Sequence, residues 1–131
     1  LERDLEMDTL NARMSEGLYR TSKERREDPT LEFLYRSAGP VWYRGMVCAD
    51  EKYDPLTPEQ TDALLRRYDA DRLLVGHTIF PDISTFHDGR VIAVNVQNER
   101  NRRKNRGRAV LIEGSRISVI GNRGVKRVLE E

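Results

Sequence analysis

The stretch Arg72-Leu-Leu-Val-Gly-His-Thr-Ile-Phe-Pro81 decides how the chain is interpreted, because it joins an apolar run to a glycine and a histidine. A helix is predicted just before it, from Thr57-Pro58-Glu59-Gln60 to about Tyr68. Threonine at a helix cap with glutamine three residues later forms a capping box, and proline fits the first helical position. A helix leading into the unbroken run Leu73-Leu74-Val75 predicts a strand covered on both faces, as in a layered α/β sheet.

Downstream of this stretch the pattern changes to short strands and tight turns. Asp-Gly, Gly-Ser and Asn-Arg-Gly sequences separate β-rich segments, which predicts hairpins and a mostly antiparallel β-meander. The predicted strands and turns, in order, are Ile83–Phe86, Asp88-Gly89, Arg90–Val96, Arg108–Glu113, Gly114-Ser115, Arg116–Ile120, Asn122-Arg123-Gly124 and Val125–Leu129.

Upstream, the sequence is helical in character. Apolar residues at Met7, Leu10, Met14 and Leu18 step by three and four, which predicts one face of an amphipathic helix between residues 1 and 26. Asp28-Pro29 then caps and opens a short helix. The predicted fold class is α/β, or α+β for this chain taken alone, with residues 1–70 mainly helical and residues 71–131 mainly β-strand.

Composition excludes several classes of protein. The 131 residues carry a net charge of +1, so bulk electrostatics indicate neither a nucleic-acid nor a membrane-surface partner. The single cysteine, Cys48, excludes an internal disulfide framework and a cysteine-based zinc cage. The opening LERDLEMDTLNARM has neither the basic start nor the apolar centre of a signal peptide, and it reads as though it begins in the middle of a helix. An upstream part is therefore expected, which leaves bacterial cytoplasm and periplasm open as locations.

His77 is the candidate ligand at the end of the apolar run. Gly76 before it removes a side chain, so a bound group can approach the backbone closely. Loops after buried strands in layered α/β folds collect ligand sites, and a neutral imidazole is a good ligand for zinc, iron or manganese. A core histidine with both ring nitrogens hydrogen-bonded is the alternative, and both interpretations stay open. His87, beside the Asp88-Gly89 turn, is expected to be exposed to solvent.

Arg44 is the second candidate. It lies in the segment GPVWYRGM, residues 39–46, among side chains that are expected to be largely buried. An arginine there either extends its head group to the surface along its aliphatic stem, or it holds a guanidinium in place to bind a phosphate or carboxylate by two parallel hydrogen bonds. The local sequence leaves both interpretations open.

The third feature is ERNRRKNRGR, Glu99 to Arg108, which carries six basic side chains and one acidic one. Such a run can neutralise several phosphates and bind nucleic acid weakly and with strong salt dependence. It has no aromatic residue to stack on a base and it connects two strands, which favours a solvated loop. The alternative function is a non-enzymatic β-rich module that binds nucleic acid or another polyanion through residues 99–108.

Taken in order, GPVWYRGM, the capped helix, RLLVGHTIF and FHDGRVIAVNV resemble the C-terminal part of the calcineurin-like metallophosphoesterases, in particular the bacterial Shewanella-like serine/threonine protein phosphatases. In that branch a GP-W-Y/W-R-G segment precedes a strand ending in V-G-H-T and an F-D/N-G-K/R-V-I hairpin. The resemblance covers nearly the whole chain. It implies a β-sandwich flanked by helices, of which residues 1–131 are the C-terminal part and the metal-binding N-terminal half is absent.

The resemblance also implies an activity, the hydrolysis of a phosphomonoester or phosphoprotein by a water activated between two divalent metal ions (Mn, Fe or Zn). On this resemblance His77 is the last histidine ligand of the metal pair and Arg44 binds the substrate phosphate. The family's DxH, GDxxDRG, GNHE and HGG motifs do not occur, so the chain alone is expected to be inactive. Where many relatives have Asp-x-Gly, this chain has Val94-Asn-Val-Gln-Asn98, so the role of that loop is not carried over.

Overall fold

A computed structural model describes residues 6–130, apart from the side chains of residues 126 and 130. The chain forms two compact units, one up to Pro55 and one from Leu56 onward. The helices in the described range are α1 (Met7–Leu18), α2 (Ser22–Glu27), α3 (Pro29–Tyr35), α4 (Pro58–Arg67) and α5 (Asn98–Arg103), with a 3-10 turn at Glu51–Tyr53. The strands are β1 (Leu73–Val75), β2 (Ser84–Phe86), β3 (Val91–Ala93), β4 (Arg108–Glu113), β5 (Arg116–Gly121) and β6 (Gly124–Glu130). The fold class is mixed α/β, as predicted. None of the described helices is long and apolar enough to cross a membrane.

Within the described residues the first unit has two helices where one was predicted, and the part of that prediction on residues 1–5 lies outside the described range. The helix expected between residues 1 and 26 ends at Leu18, because Thr21 opens a new helix with its own capping box. The Thr21 hydroxyl accepts the Glu24 amide at 3.3 Å, and the Glu24 carboxylate accepts the Thr21 amide at 2.7 Å. The predicted apolar face is only partly covered, since Leu18 is 69% exposed.

Helix α3 organises the packing of the first unit. Its predicted cap is confirmed, because the Asp28 carboxylate accepts the Thr30 and Leu31 amides at 2.9 and 3.1 Å. Leu31 and Leu34 from this helix are fully buried. Gly17 of α1 is also buried, and a β-carbon there would lie 2.2 Å from the ring of Tyr35. Glycine at that position lets α1 approach α3 closely.

Helix α4 and strands β1 to β3 open the second unit. The capping box at Thr57 and Gln60 is confirmed. Strands β1 and β3 run parallel, β2 pairs antiparallel with β3, and the strand order is β1-β3-β2. The expectation that β1 is covered on both faces is wrong, because Leu74 is 46% exposed. The buried strand is β3, the central strand of the sheet, whose three residues are all buried.

The remaining strands form a separate antiparallel sheet, β4-β5-β6, with the predicted turn at Gly114-Ser115. The turn predicted at Asn122-Arg123-Gly124 covers Asn122 and Arg123, because Gly124 already belongs to β6. The two three-stranded sheets share one apolar cluster. Its buried members are Ile83, Ile92, Val96, Ile117 and Val119. The meander is therefore split into two sheets, and it contains one parallel pair. The structure gives no support to the expected metallophosphoesterase β-sandwich.

Candidate functional site

Strands β1 and β3 place their carboxyl ends at the same edge of the first sheet, because they pair in parallel with Val75 opposite Ala93. The chain after β1 leaves the sheet and returns at Phe80, which forms a parallel bridge with Val96. Four residues, 76–79, therefore lie opposite only two residues, 94 and 95, of the segment that follows β3. We call residues 76–79 together with residues 94–97 the carboxyl edge. This is the part of an open α/β sheet where ligands usually bind.

The backbone at His77 is strained. Its φ is +67°, a left-handed conformation that residues other than glycine seldom adopt. The Thr78 amide donates a hydrogen bond to the Gly76 carbonyl at 2.8 Å, so His77 is the central residue of a tight three-residue turn. Turns of this kind with positive φ are rare, and strained residues cluster at active sites and ligand-binding sites. Six described residues other than glycine have positive φ, so the conformation makes His77 a candidate site residue only together with its place at the carboxyl edge.

Gly76 leaves an open space beside this turn. A β-carbon built at Gly76 meets no atom within 4 Å, and its φ is outside the left-handed region. Neither crowding nor backbone conformation within the described chain requires glycine at this position. His77 itself is exposed, so it is not the core histidine of the alternative interpretation. The strand end therefore presents an imidazole at the surface next to space that a ligand could occupy.

Backbone hydrogen bonds hold the carboxyl edge in place before and after the turn at His77. The Val94 amide donates to the Val75 carbonyl at 2.9 Å, and the Phe80 amide donates to the Asn95 carbonyl at 2.9 Å. The Phe80 ring packs on the ring of Phe86 with centroids 5.4 Å apart. Residues 76–79 are thus anchored at each end by the sheet, and the position of His77 is set by backbone hydrogen bonds.

His87 does not join this edge. It lies in the turn between β2 and β3 with φ of +51°, followed by Asp88 and Gly89, which also have positive φ. Its side chain is half-buried, where exposure to solvent was expected. The Arg90 guanidinium donates to the His87 carbonyl at 3.2 Å, which ties the turn to the base of the hairpin. His87 is therefore part of the β2–β3 turn, which lies at the opposite end of β3 from His77.

Arg44 lies in the first unit, in a run of turns after α3. Its guanidinium carbon is 5.6 Å from the centre of the Tyr53 ring, within the range of a cation–π contact. The neighbouring Tyr43 hydroxyl donates to the Asp54 carbonyl at 2.7 Å, and this ring lies where a β-carbon on Gly45 would stand. The segment is therefore held in place, although Trp42 before it is 51% exposed and the expected burial is wrong there.

The basic segment Glu99–Arg108 is half helix and half loop, where a loop was expected. Helix α5 ends at Arg103, and the Asn98 side chain accepts the Arg108 amide at 3.0 Å, which closes the segment on itself. An open depression of about 340 Å³ lies against it, and its lining residues are Asn98, Arg102, Gly107, Arg108, Ala109, Ile120, Gly121 and Asn122. This element was missed because a short, highly charged helix lacks the apolar periodicity by which helices are predicted.

The metal prediction finds no support in the donor set. Among the described residues, no group of three or more His, Cys, Asp or Glu side chains could hold a metal ion. The carboxyl edge offers one imidazole, His77, and a mainly amide and apolar neighbourhood. The residues described here therefore do not fit a pair of divalent metal ions.

Comparisons with solved structures show which fold the chain shares. A cold-active protein tyrosine phosphatase matches with a TM-score of 0.76 and 24% identity, over 97% of this chain and 35% of that protein. The cold-active protein-tyrosine phosphatase of a psychrophilic Shewanella species matches with a TM-score of 0.77 and 24% identity, over 98% and 36% of the two chains. The chain thus spans about a third of the length of these proteins. No protein-family model and no curated protein sequence matches it.

On these comparisons the predicted family is wrong. The proteins that share the fold are described as protein tyrosine phosphatases, not as calcineurin-like metallophosphoesterases or serine/threonine protein phosphatases. The prediction of two divalent metal ions (Mn, Fe or Zn) is corrected with it, because it depended on that family and the described donor set does not fit such ions. The roles predicted for His77 and Arg44 lose the family argument, and they now depend on their own geometry.

Proposed function

We propose that this chain is part of a phosphatase that hydrolyses phosphomonoesters, with tyrosine-phosphorylated proteins as the substrate class. The fold it shares with cold-active protein tyrosine phosphatases supports the proposal. The single observation that carries it is the strained, exposed His77 at the carboxyl edge, beside the open space at Gly76. A sheet edge of this kind is the usual ligand position in open α/β folds.

His77 is proposed as a residue that contacts the phosphoryl group. An imidazole can donate hydrogen bonds to phosphoryl oxygens, and it can transfer protons near neutral pH. The exposed ring and the hydrogen-bonded turn that presents it suit both tasks. No metal ion enters this proposal.

Arg44 is proposed separately as a phosphate-binding residue of the first unit. A guanidinium binds phosphate oxygens by two parallel hydrogen bonds, a geometry that lysine cannot reproduce. Its contact with the Tyr53 ring limits its rotamers and so reduces the entropy lost on binding. The aromatic and turn-rich surroundings support this role over a purely solvated arginine.

The experiment is a phosphatase assay on the protein encoded by the complete open reading frame, with a phosphotyrosine peptide and a phosphoserine peptide as substrates. His77→Ala and Arg44→Lys are the test variants, and Arg116→Gln, an exposed arginine at the start of β5, is the control. Because a lost contact to a transferred phosphoryl group typically costs about 10²–10³-fold in rate, His77→Ala should lose activity on this scale while the control keeps it. Arg44→Lys tests the first unit separately and should weaken phosphate binding, because lysine cannot form the two parallel hydrogen bonds.

Two results would overturn the proposal. One is wild-type activity in His77→Ala with intact folding, which would remove the carboxyl edge from the reaction. The other is the absence of phosphotyrosine hydrolysis by the complete encoded protein. A preference for phosphoserine would retain the phosphatase and reject the substrate class.

A further inference from the structure

We infer that the basic segment, residues 99–108, is a docking surface for acidic residues that flank the phosphorylated residue of a protein substrate. The inference rests on the proposed phosphatase function, and it extends that function from the phosphoryl group to the peptide around it. It is carried by two observations, the unpaired positive charge of the segment and its position next to the carboxyl edge.

The first observation is an excess of positive charge that the described chain does not neutralise. Of the six basic side chains, Arg108 pairs with Asp82 at 3.2 Å, and Arg103 lies 3.7 Å from Glu99 in an exposed pair. No ion pair within the described residues involves the other four, all of which are exposed. These are Arg100, Arg102, Lys104 and Arg106. Four like charges this close together repel one another, so an acidic partner would relieve repulsion as well as form ion pairs.

The segment is also built to keep its shape. Its loop returns through the Arg106 amide, which donates to the Asn101 carbonyl at 2.7 Å, and through the Arg108 amide, which donates to the Asn98 side chain at 3.0 Å. Asn105 takes up a left-handed conformation with φ of +57° to end the helical part. The cations are therefore displayed from an ordered backbone, beside the depression of about 340 Å³.

The second observation is position. Val96 bridges to Phe80, α5 begins two residues after Val96, and His77 lies three residues before Phe80. At about 3.5 Å per residue and about 5 Å between paired strands, the start of α5 lies within roughly 23 Å of His77. An extended peptide covers that distance in about seven residues. Acidic side chains within about seven positions of the phosphorylated residue can therefore reach the start of the segment.

A peptide fits this surface better than a nucleic acid does. Neither the segment nor the depression beside it contains an aromatic side chain, whereas single-stranded nucleic acids are usually bound by stacking bases on aromatic rings. The net charge of the whole chain is only +1, so the surrounding field does not attract a long polyanion. A short acidic segment needs only the local cluster of cations.

The test measures binding of fluorescein-labelled peptides to the 131-residue chain by fluorescence anisotropy at low and high salt. Three peptides are compared. The first has phosphotyrosine with four flanking glutamates, the second has phosphotyrosine with neutral flanks, and the third has the glutamates with unphosphorylated tyrosine. A labelled 12-nucleotide single-stranded DNA is the rival ligand. The variant is Arg102→Gln/Arg106→Gln, and Arg116→Gln is the matched control, because Arg116 lies at the opposite end of the β4–β5 hairpin from Arg108.

We expect the glutamate-flanked peptides to bind more tightly than the neutral one at low salt, and the double variant to weaken their binding roughly 3- to 10-fold, as for the loss of two exposed ion pairs. The control should change nothing, and high salt should remove the difference. Equal binding of acidic and neutral flanks, an equal effect of Arg116→Gln, or tighter binding of the DNA than of the acidic peptides would overturn the inference. The unphosphorylated acidic peptide keeps the two proposals apart, because its binding does not depend on a phosphoryl site.

Discussion

Replacing His77 by glycine should give a more stable protein than replacing it by alanine, because only glycine relieves the left-handed backbone at φ of +67°. Holding an L-residue in this region costs about 1–2 kcal/mol. Alanine keeps that cost, whereas glycine removes it but loses about 0.5–1 kcal/mol through the greater freedom of its unfolded chain. The His77→Gly protein should therefore be about 0.5–1 kcal/mol more stable than the His77→Ala protein.

Thr85 provides the matched control. It is exposed at the centre of β2, and its φ is not positive. At such a strand position glycine is about 0.5–1 kcal/mol less stable than alanine, so the order of the two variants should reverse. The difference between the two sites, about 1–2 kcal/mol, is the strain at His77 itself.

The assay is chemical denaturation of the four variants, followed by far-UV circular dichroism and fitted for the free energy of unfolding. A thermal melt gives a second measure, since 1 kcal/mol corresponds to about 4 °C for a domain of this size. If glycine is no better than alanine at position 77, the turn is not strained, and its use as a sign of function fails. Both His77 variants should also lose binding of phosphotyrosine, so a stabilised but inactive His77→Gly protein is the expected outcome.

Four further predictions concern the framework. Thr57→Ala removes the capping box of α4 and should cost about 1 kcal/mol in a denaturation curve, which Thr57→Ser should largely restore. Gly17→Ala should destabilise the first unit by about 1–3 kcal/mol, because the new methyl group meets the ring of Tyr35. A gain in stability would contradict this, since it would show that α1 and α3 can move apart at no cost. Ile92→Ala should cost about 2–4 kcal/mol, since β3 is enclosed on both sides, and a loss below 1 kcal/mol would contradict that burial. The Arg13 guanidinium holds the pKa of the Asp28 carboxyl below its ordinary value. The stability that the ionised Asp28 contributes is therefore complete above about pH 4 and is lost as the pH falls through the lowered pKa. Thermal melts from about pH 6 to about pH 2.5 should show this loss of stability in the wild-type protein and not in Asp28→Asn.

The parts of this fold that the sequence predicts are those set by neighbours along the chain. The helix caps at Asp28 and Thr57 are contacts between residues two or three positions apart, so the local amino-acid sequence is enough to predict them. The turn at Gly114-Ser115 is equally local. Such interactions hold wherever the element is placed, and all three were predicted at the right residues.

Burial and strand pairing could not be predicted in the same way. The apolar run of β1 lies at the edge of its sheet, whereas the less distinctive Val91–Ala93 lies at the centre, because strand order depends on contacts between distant residues. The strain at His77 could not be predicted for the same reason. Its left-handed φ depends on the point at which the chain returns to the sheet, the bridge between Phe80 and Val96, which joins distant residues. Sequence reasoning selected His77 from the glycine before it and from a short motif, and that motif led to the wrong family and to metal ions that the described residues do not fit.

The most direct test of the phosphoryl site is an NMR titration of the ¹⁵N-labelled chain with O-phospho-L-tyrosine, with tyrosine as the reference. The proposed site predicts that the amide signals of Gly76, His77, Thr78 and Asn95 shift on addition of the phosphorylated compound, and that tyrosine leaves them unchanged. Saturable shifts confined to other parts of the chain, or no shifts in the presence of excess ligand, would contradict it.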